Sequence, residues 1–164
     1  MSAFRKPKEV KPQQALVRLE ELCARSEHST GELQTKLRQW RIAPADAEEI
    51  IESLTARRFV DDSRFAQAFV RDKYRFARWG RIKIRLQLRT KGVDTDTIAE
   101  ALELIDSKEY SRIMARQLLA RMRRSANVHD KAERQKIFRT MIAKGYEPSL
   151  IARAYTALLQ YVDR

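Results

Sequence analysis

Arg81-Ile82-Lys83-Ile84-Arg85-Leu86-Gln87-Leu88-Arg89 alternates polar and apolar residues without a break, and its conformation decides the fold. In isolation a period of two is the pattern of an amphipathic strand. A lone strand, however, would leave its backbone donors and acceptors without partners. The sequence on both sides is helical in pattern, so the stretch is assigned to a helix. At about 100° per residue, Ile84 and Leu88 then share one face, and Ile82 and Leu86 share another about 200° round the axis. The first stripe belongs to the core of its own unit. The second must pack on a neighbouring unit or on a partner, with core between units the preferred use.

Outward from this stretch, apolar residues recur at spacings of three and four. Leu16, Leu19, Leu22 and Cys23 form one such row, Leu33, Leu37 and Trp40 another, and Ala47, Ile50, Ile51 and Leu54 a third. Ser29-Thr30-Gly31-Glu32 is a capping box ahead of Leu33. Asp61, Asp94 and Asp130 stand as N-caps before periodic runs, and Pro44 and Pro148 sit at first-turn positions. Gly92 and Gly145 each follow a lysine where a helix should end. Nine short helices account for the chain, preceded by a basic arm over residues 1–12 that carries Arg5, Lys6, Lys8 and Lys11 and is expected to be flexible.

The helices repeat. With Ile42, Val93 and Tyr146 as equivalent positions, Leu33, Ile84 and Ile137 align upstream, as do Leu37, Leu88 and Met141. Downstream, Ala47, Ile98 and Ile151 align, then Ile51, Leu102 and Tyr155, then Leu54, Ile105 and Leu158. Thr90-Lys91-Gly92-Val93 and Ala143-Lys144-Gly145-Tyr146 agree further, whereas Trp40-Arg41-Ile42 lacks the glycine. The expected architecture is all-α, three tandem three-helix repeats at 13–58, 59–106 and 107–164.

The 164 residues carry 34 Lys and Arg against 22 Asp and Glu, a formal charge of +12. The excess is local: residues 59–92 carry +7 and 108–144 carry +8, and between them 93–107 carry −5. Clustered positive charge attracts polyanions or acidic protein surfaces. One cysteine excludes a disulfide framework. No apolar run approaches the ~18 residues of a membrane span, and the first residues lack the apolar stretch of a secretory leader. The expectation is a cytoplasmic protein.

No catalytic constellation is legible, and no cofactor or metal is expected. His28 and His129 lie far apart and neither has metal-ligand spacing to Cys23. Cys23 falls on the apolar face of the first helix, where a small buried thiol is the ordinary reading. The four glycines are scattered singly, which excludes a phosphate-cradling loop. Asp61-Asp62 is explained by capping and by the helix dipole. In residues 71–91 bases interleave with aromatics. Stacking on unpaired nucleobases is one use of such a pattern. The plainer one makes Phe65, Phe69 and Tyr74 core, with Phe76 and Trp79 plugging the junction before Gly80. No helix carries the compact Asn, Gln and Arg array that reads duplex sequence, which counts against a transcription factor.

Phe59-Val60-Asp61-Asp62-Ser63-Arg64-Phe65-Ala66, followed by Gly80-x-x-Lys83-Ile84-x-x-x-Leu88-x-x-Lys91-Gly92-Val93, resembles the RecX regulators of the bacterial RecA recombinase. Ser29-x-x-Glu32-Leu33-x-x-Lys36-Leu37 and Ile137-x-x-x-Met141-x-x-Lys144-Gly145-Tyr146 are similar to the family's flanking units. The likeness spans roughly residues 13–160. It departs from the family at Lys83, where an arginine is usual, and in the missing Lys-Gly of the first repeat.

The resemblance implies an elongated, curved body that lies in the groove of the RecA–DNA filament. It implies suppression of ATP hydrolysis, strand exchange and coprotease activity, with net filament disassembly. No catalytic residue is needed for this, because a ligand that binds neighbouring subunits shifts their conformational equilibrium by differential affinity. Partners expected are the RecA filament and, through phosphate-backbone contacts, single- or double-stranded DNA, with no membrane and with the chain acting as a monomer. From charge clustering alone, the contact candidates are Arg64, Arg75, Arg78, Arg81, Lys83, Arg85, Arg89, Lys91, Arg121, Arg123 and Arg124. Some of them are expected to pair internally with the acids of 94–106. The alternative from another class is a non-specific single-stranded nucleic-acid-binding protein that coats its strand.

Overall fold

A computed structural model describes residues 9–162. Within them the chain is all-helical. Its elements are α1 (Pro12–Arg25), α2 (Thr30–Gln39), α3 (Pro44–Ala56), α4 (Asp62–Arg75), α5 (Arg81–Thr90), α6 (Thr95–Glu103), α7 (Ser107–Arg124), α8 (Lys131–Ala143) and α9 (Pro148–Leu159). Residues 1–8 of the expected arm lie outside the described residues. The last part of the arm is structured, because Pro12 opens α1 and Val10 packs against the first core.

The start signals act as read. The hydroxyl of Ser29 accepts from the Glu32 N–H, and the Glu32 carboxylate accepts in return from the Ser29 N–H. Asp61, Asp94 and Asp130 accept from the N–H groups of Arg64, Thr97 and Glu133. Asp106 does the same for Glu109 at the head of α7. Each such cap satisfies one of the N–H groups that a helix leaves without an internal partner, and contributes about 1 kcal/mol.

The alternating stretch is helical. Ile84 and Leu88 on α5 are fully buried, as the helical face requires. Ile82 and Leu86 are not used as core: they are 44% and 57% exposed. Of the aligned repeat positions, all are buried except Ala47, Ile51 and Leu158, which are half-buried. Phe65 and Tyr74 are core, but Phe76 is 78% exposed and plugs nothing. Trp79 is half-buried, edge-on to Phe69.

The chain forms two compact units. Of the described residues, the first comprises 9–65 together with Lys91–Val93. In it α1 and α2 both pack on α3. Its core is Ala15, Leu19, Leu33, Leu37, Ile42, Ile50, Leu54 and Val60, and each fully buried leucine contributes about 1.5–3 kcal/mol. Ser29, itself buried, donates its hydroxyl to the Lys91 carbonyl at 2.6 Å. The α carbon of Gly92 sits so near Gly31 that a Cβ there would lie 2.8 Å from it and 2.3 Å from the Lys91 oxygen. Asp62 accepts from both the N–H and the hydroxyl of Thr30, at 2.8 and 2.7 Å.

The second unit comprises Ala66–Thr90 and the residues from Asp94 onward. There α5 packs on α6, and α7, α8 and α9 pack on one another, around Tyr110, Met114, Leu118, Met122, Ile137, Met141, Tyr146, Ile151 and Tyr155. The start of α5 meets the α8–α9 turn through its backbone. The Gly80 N–H donates to the Lys144 carbonyl at 2.8 Å, and the Ile82 N–H donates to the Gly145 carbonyl at 3.0 Å. A Cβ on Gly80 would lie 2.1 Å from the Gly145 carbonyl. One joint, the head of a repeat's second helix against a Lys-Gly turn, is thus built once in each unit.

That turn needs a left-handed residue. Gly92 and Gly145 supply it with φ of 77° and 92°. In the first repeat the same place is taken by Arg41, held at φ 57° despite its side chain. The α carbon of an L residue pays about 1–2 kcal/mol for this conformation.

Candidate anion-binding site

In the second unit, basic side chains converge on a depression of about 390 Å³. Arg75 and Arg78 reach it from the end of α4 and the loop that follows, Arg116, Arg121 and Arg124 from α7, and Lys144 from the end of α8. Ile113 and Ala120 form its small apolar part, beside the buried Gln117. Among the described residues no carboxylate lines it.

The convergence follows from local geometry. On α7, residues four apart fall on one face, so Arg116, Ala120 and Arg124 form one row and Ile113, Gln117 and Arg121 the next. Arg78 lies in the left-handed region at φ 57°. Its carbonyl accepts from the Tyr146 hydroxyl at 2.9 Å and from the Gln117 amide at 3.5 Å, and that amide also donates to the Tyr146 hydroxyl at 2.6 Å. The Gln117 carbonyl in turn accepts from the Arg121 guanidinium at 3.1 Å. Gln117 thus acts at two points: its side-chain amide holds the Arg78 backbone, and its backbone carbonyl holds the Arg121 guanidinium. Burial pushes the Lys144 amine below its ordinary range, and the neighbouring charges of Arg121, Arg78 and Lys83 push it the same way.

The structure sorts the sequence candidates. Arg75, Arg78, Arg121 and Arg124 line the depression. Arg75 also pairs with Glu109 at 3.2 Å. Arg81 pairs with Glu147 at 3.3 Å and lies 3.9 Å above the Tyr110 ring. Lys83 lies 4.4 Å from the Trp79 ring centre, and Arg85, Arg89 and Arg123 are exposed. In the first unit, Arg64 bonds Glu27 at 2.6 Å, which holds its guanidinium still more firmly protonated. Lys91 bonds Glu32 at 2.5 Å. Burial alone would raise the Glu32 carboxyl, but the bonds from Lys91 and the Ser29 N–H, with the charges of Lys91 and His28, hold it below the usual range.

Glu27, Glu32, Glu109 and Glu147 are internal partners of four of these cations, and all four lie outside the acidic stretch 94–106. Asp94 and Asp106 are engaged instead as helix caps. Arg116 and Lys144 were missed. The α7 periodicity pointed to Arg116, one turn before Ala120, whereas Lys144 read only as the residue before a helix-ending glycine. Cys23 is half-buried, and burial, with Glu27 beside it, pushes its thiol up, away from thiolate chemistry. Among the described residues no group of His, Cys, Asp and Glu could hold a metal ion, and no helix is long and apolar enough to cross a membrane.

Fold and site together describe a protein of helical three-helix repeats that presents basic surface. The crystal structure of RecX from Lactobacillus salivarius has the same fold, with a TM-score of 0.78 at 22% identity over 93% of this chain and 96% of that one. The family model for the second three-helix domain of RecX matches residues 61–102. Regulatory protein RecX of Stenotrophomonas maltophilia is 32% identical over 150 residues, 92% of this chain and 88% of that protein. Regulatory protein RecX of Halalkalibacterium halodurans is 30% identical over 77% of this chain, which spans 48% of that longer relative. The chain belongs to the RecX family of regulatory proteins.

Proposed function

We propose that the protein regulates the bacterial RecA recombinase by binding the RecA–DNA filament. It occupies the filament groove, suppresses ATP hydrolysis, strand exchange and coprotease activity, and favours disassembly. The observation that carries this is the 32% identity across 92% of the chain to a regulatory protein of the RecX family. Basic surface at the exposed Arg85, Arg89 and Arg123, together with the cations of the depression, supports engagement of an acidic polymer at long range. The mechanism is non-enzymatic: a cytoplasmic monomer that binds one filament conformation better than another shifts the population between them.

The test is a titration of recombinase ATPase on single-stranded DNA. ATPase should fall at ratios well below one protein per recombinase subunit, and Arg85→Glu with Arg89→Glu should move the curve to higher protein. An unchanged ATPase with intact filaments overturns the reading. A fall that appears only as the DNA becomes saturated, and that vanishes steeply with salt, identifies a strand-coating protein instead.

A further inference from the structure

We propose that the depression walled by Arg75, Arg78, Arg116, Arg121, Arg124 and Lys144 is a binding site for a run of adjacent phosphate groups. Its volume, about 390 Å³, lies within the range of small-ligand sites. Such a run can come from a free polyphosphate chain or from a nucleic-acid backbone. The site belongs to this chain whether or not the protein acts on RecA, and its test contains no recombinase.

The charge density of the wall selects the ligand. Six cations face one depression, and among the described residues no carboxylate lines it. An extended acidic peptide projects successive side chains to opposite sides, so only every second carboxylate could face the wall. A phosphate run places charge on every unit. Five of the six cations are arginines, whose planar fork matches two oxygens of one phosphate, while a lysine serves as a point charge.

What the wall lacks narrows the ligand further. No aromatic ring lines the depression among the described residues, so a nucleobase has nothing to stack on, and recognition stops at the phosphates. The bonds that Tyr146 and Gln117 donate to the Arg78 carbonyl fix the backbone from which that side chain projects, and the Arg121 guanidinium is held by its bond to the Gln117 backbone carbonyl. Less ordering is then required on binding. A bound anion would also relieve the mutual repulsion that Lys144 shares with Arg121, Arg78 and Lys83.

The whole protein is titrated calorimetrically with sodium tripolyphosphate and separately with a short oligothymidylate. Arg116→Glu and Lys144→Glu should weaken binding at least about tenfold, a loss of about 1.4 kcal/mol. Arg153→Glu, at an exposed position of α9 outside the depression, should leave it unchanged. Protection of the Lys144 amine from an acylating reagent by the same ligand is the second readout, independent of any variant's folding. Variant-sensitive binding of tripolyphosphate supports the site and assigns it to free polyphosphate. Variant-sensitive binding of the oligonucleotide alone supports it and assigns it to backbone. If neither ligand protects Lys144, if the variants bind as the parent does, or if polyglutamate binds equally well with the same variant losses, the proposal fails.

Discussion

The phenol of Tyr110 donates to the Glu147 carboxylate at 2.7 Å while it accepts from the Arg81 N–H at 3.0 Å. Arg81 closes the circuit with its own bond to Glu147 at 3.3 Å. Three residues far apart in sequence thus tie the head of α5 to α7 and to the start of α9. Burial and the neighbouring Glu147 push the phenol well above its ordinary range, so it serves as a proton donor at any physiological pH.

Tyr110→Phe keeps the ring but leaves the Arg81 N–H without its acceptor, and should cost about 1–3 kcal/mol. Glu147→Gln retains an acceptor for the phenol and removes only a partly exposed ion pair, which is worth under about 1 kcal/mol. Urea unfolding should therefore rank the phenol variant as the weaker protein. The reverse order would place the stabilisation in the ion pair.

Gly80→Ala and Gly31→Ala should each lower stability by about 3 kcal/mol. In both, the added methyl group would meet backbone, 2.1 Å from the Gly145 carbonyl and 2.3 Å from the Lys91 oxygen, and backbone has no rotamer through which to retreat. Substituting Gln34, an exposed residue of α2, by alanine is the control, with an expected change within about 0.5 kcal/mol. Thermal or urea unfolding of the variants checks both values.

Arg41→Gly should stabilise the protein. Relief of the left-handed arginine returns about 1–2 kcal/mol, and the freer unfolded chain takes back about 0.4–1 kcal/mol, so the net gain lies between about 0 and 1.6 kcal/mol. Gly145→Ala is the converse. It combines φ 92° with a Cβ 2.3 Å from that of Lys83, and should be the most destabilising of the glycine changes. A rise in urea midpoint for the first and a fall for the second is the expected result.

Burial pushes the Tyr146 phenol up to about 12. The folded protein therefore keeps this proton where the unfolded chain, at about 10, has lost it. The stabilisation is whole below pH ~10 and drains away as the pH climbs from there through the folded value. Unfolding midpoints should hold steady on the acid side of this window and decline within it. The decline should be shallower in Tyr146→Phe.

Features governed by neighbours along the chain are legible in the sequence. Ile84 and Leu88 marked the buried face of α5, Asp61, Asp94 and Asp130 marked helix starts, and Gly92 and Gly145 marked left-handed turns. Features that depend on long-range placement are not. Asp62 reads as a helix-dipole residue and in fact holds Thr30. Arg41 hides a left-handed turn, because an arginine advertises no positive φ. Lys91 and Arg64 stand among the contact candidates by charge clustering and are bonded to Glu32 and Glu27. Of the anion-binding cluster, the sequence exposed the arginines in two separate blocks. Only the fold brings them to one depression and adds Arg116 and Lys144.

Both recurring joints bring a helix-head glycine against the backbone of a Lys-Gly turn, and that tight approach asks of the helix head little beyond a missing methyl group. In the first joint Ser29 and Glu32 add side-chain bonds to Lys91. Tandem copies of the module can drift apart in sequence, acquire charge in one copy and shed it in another, and still meet their neighbours by the same rule. A helical triplet can thus be specialised copy by copy without renegotiating its assembly.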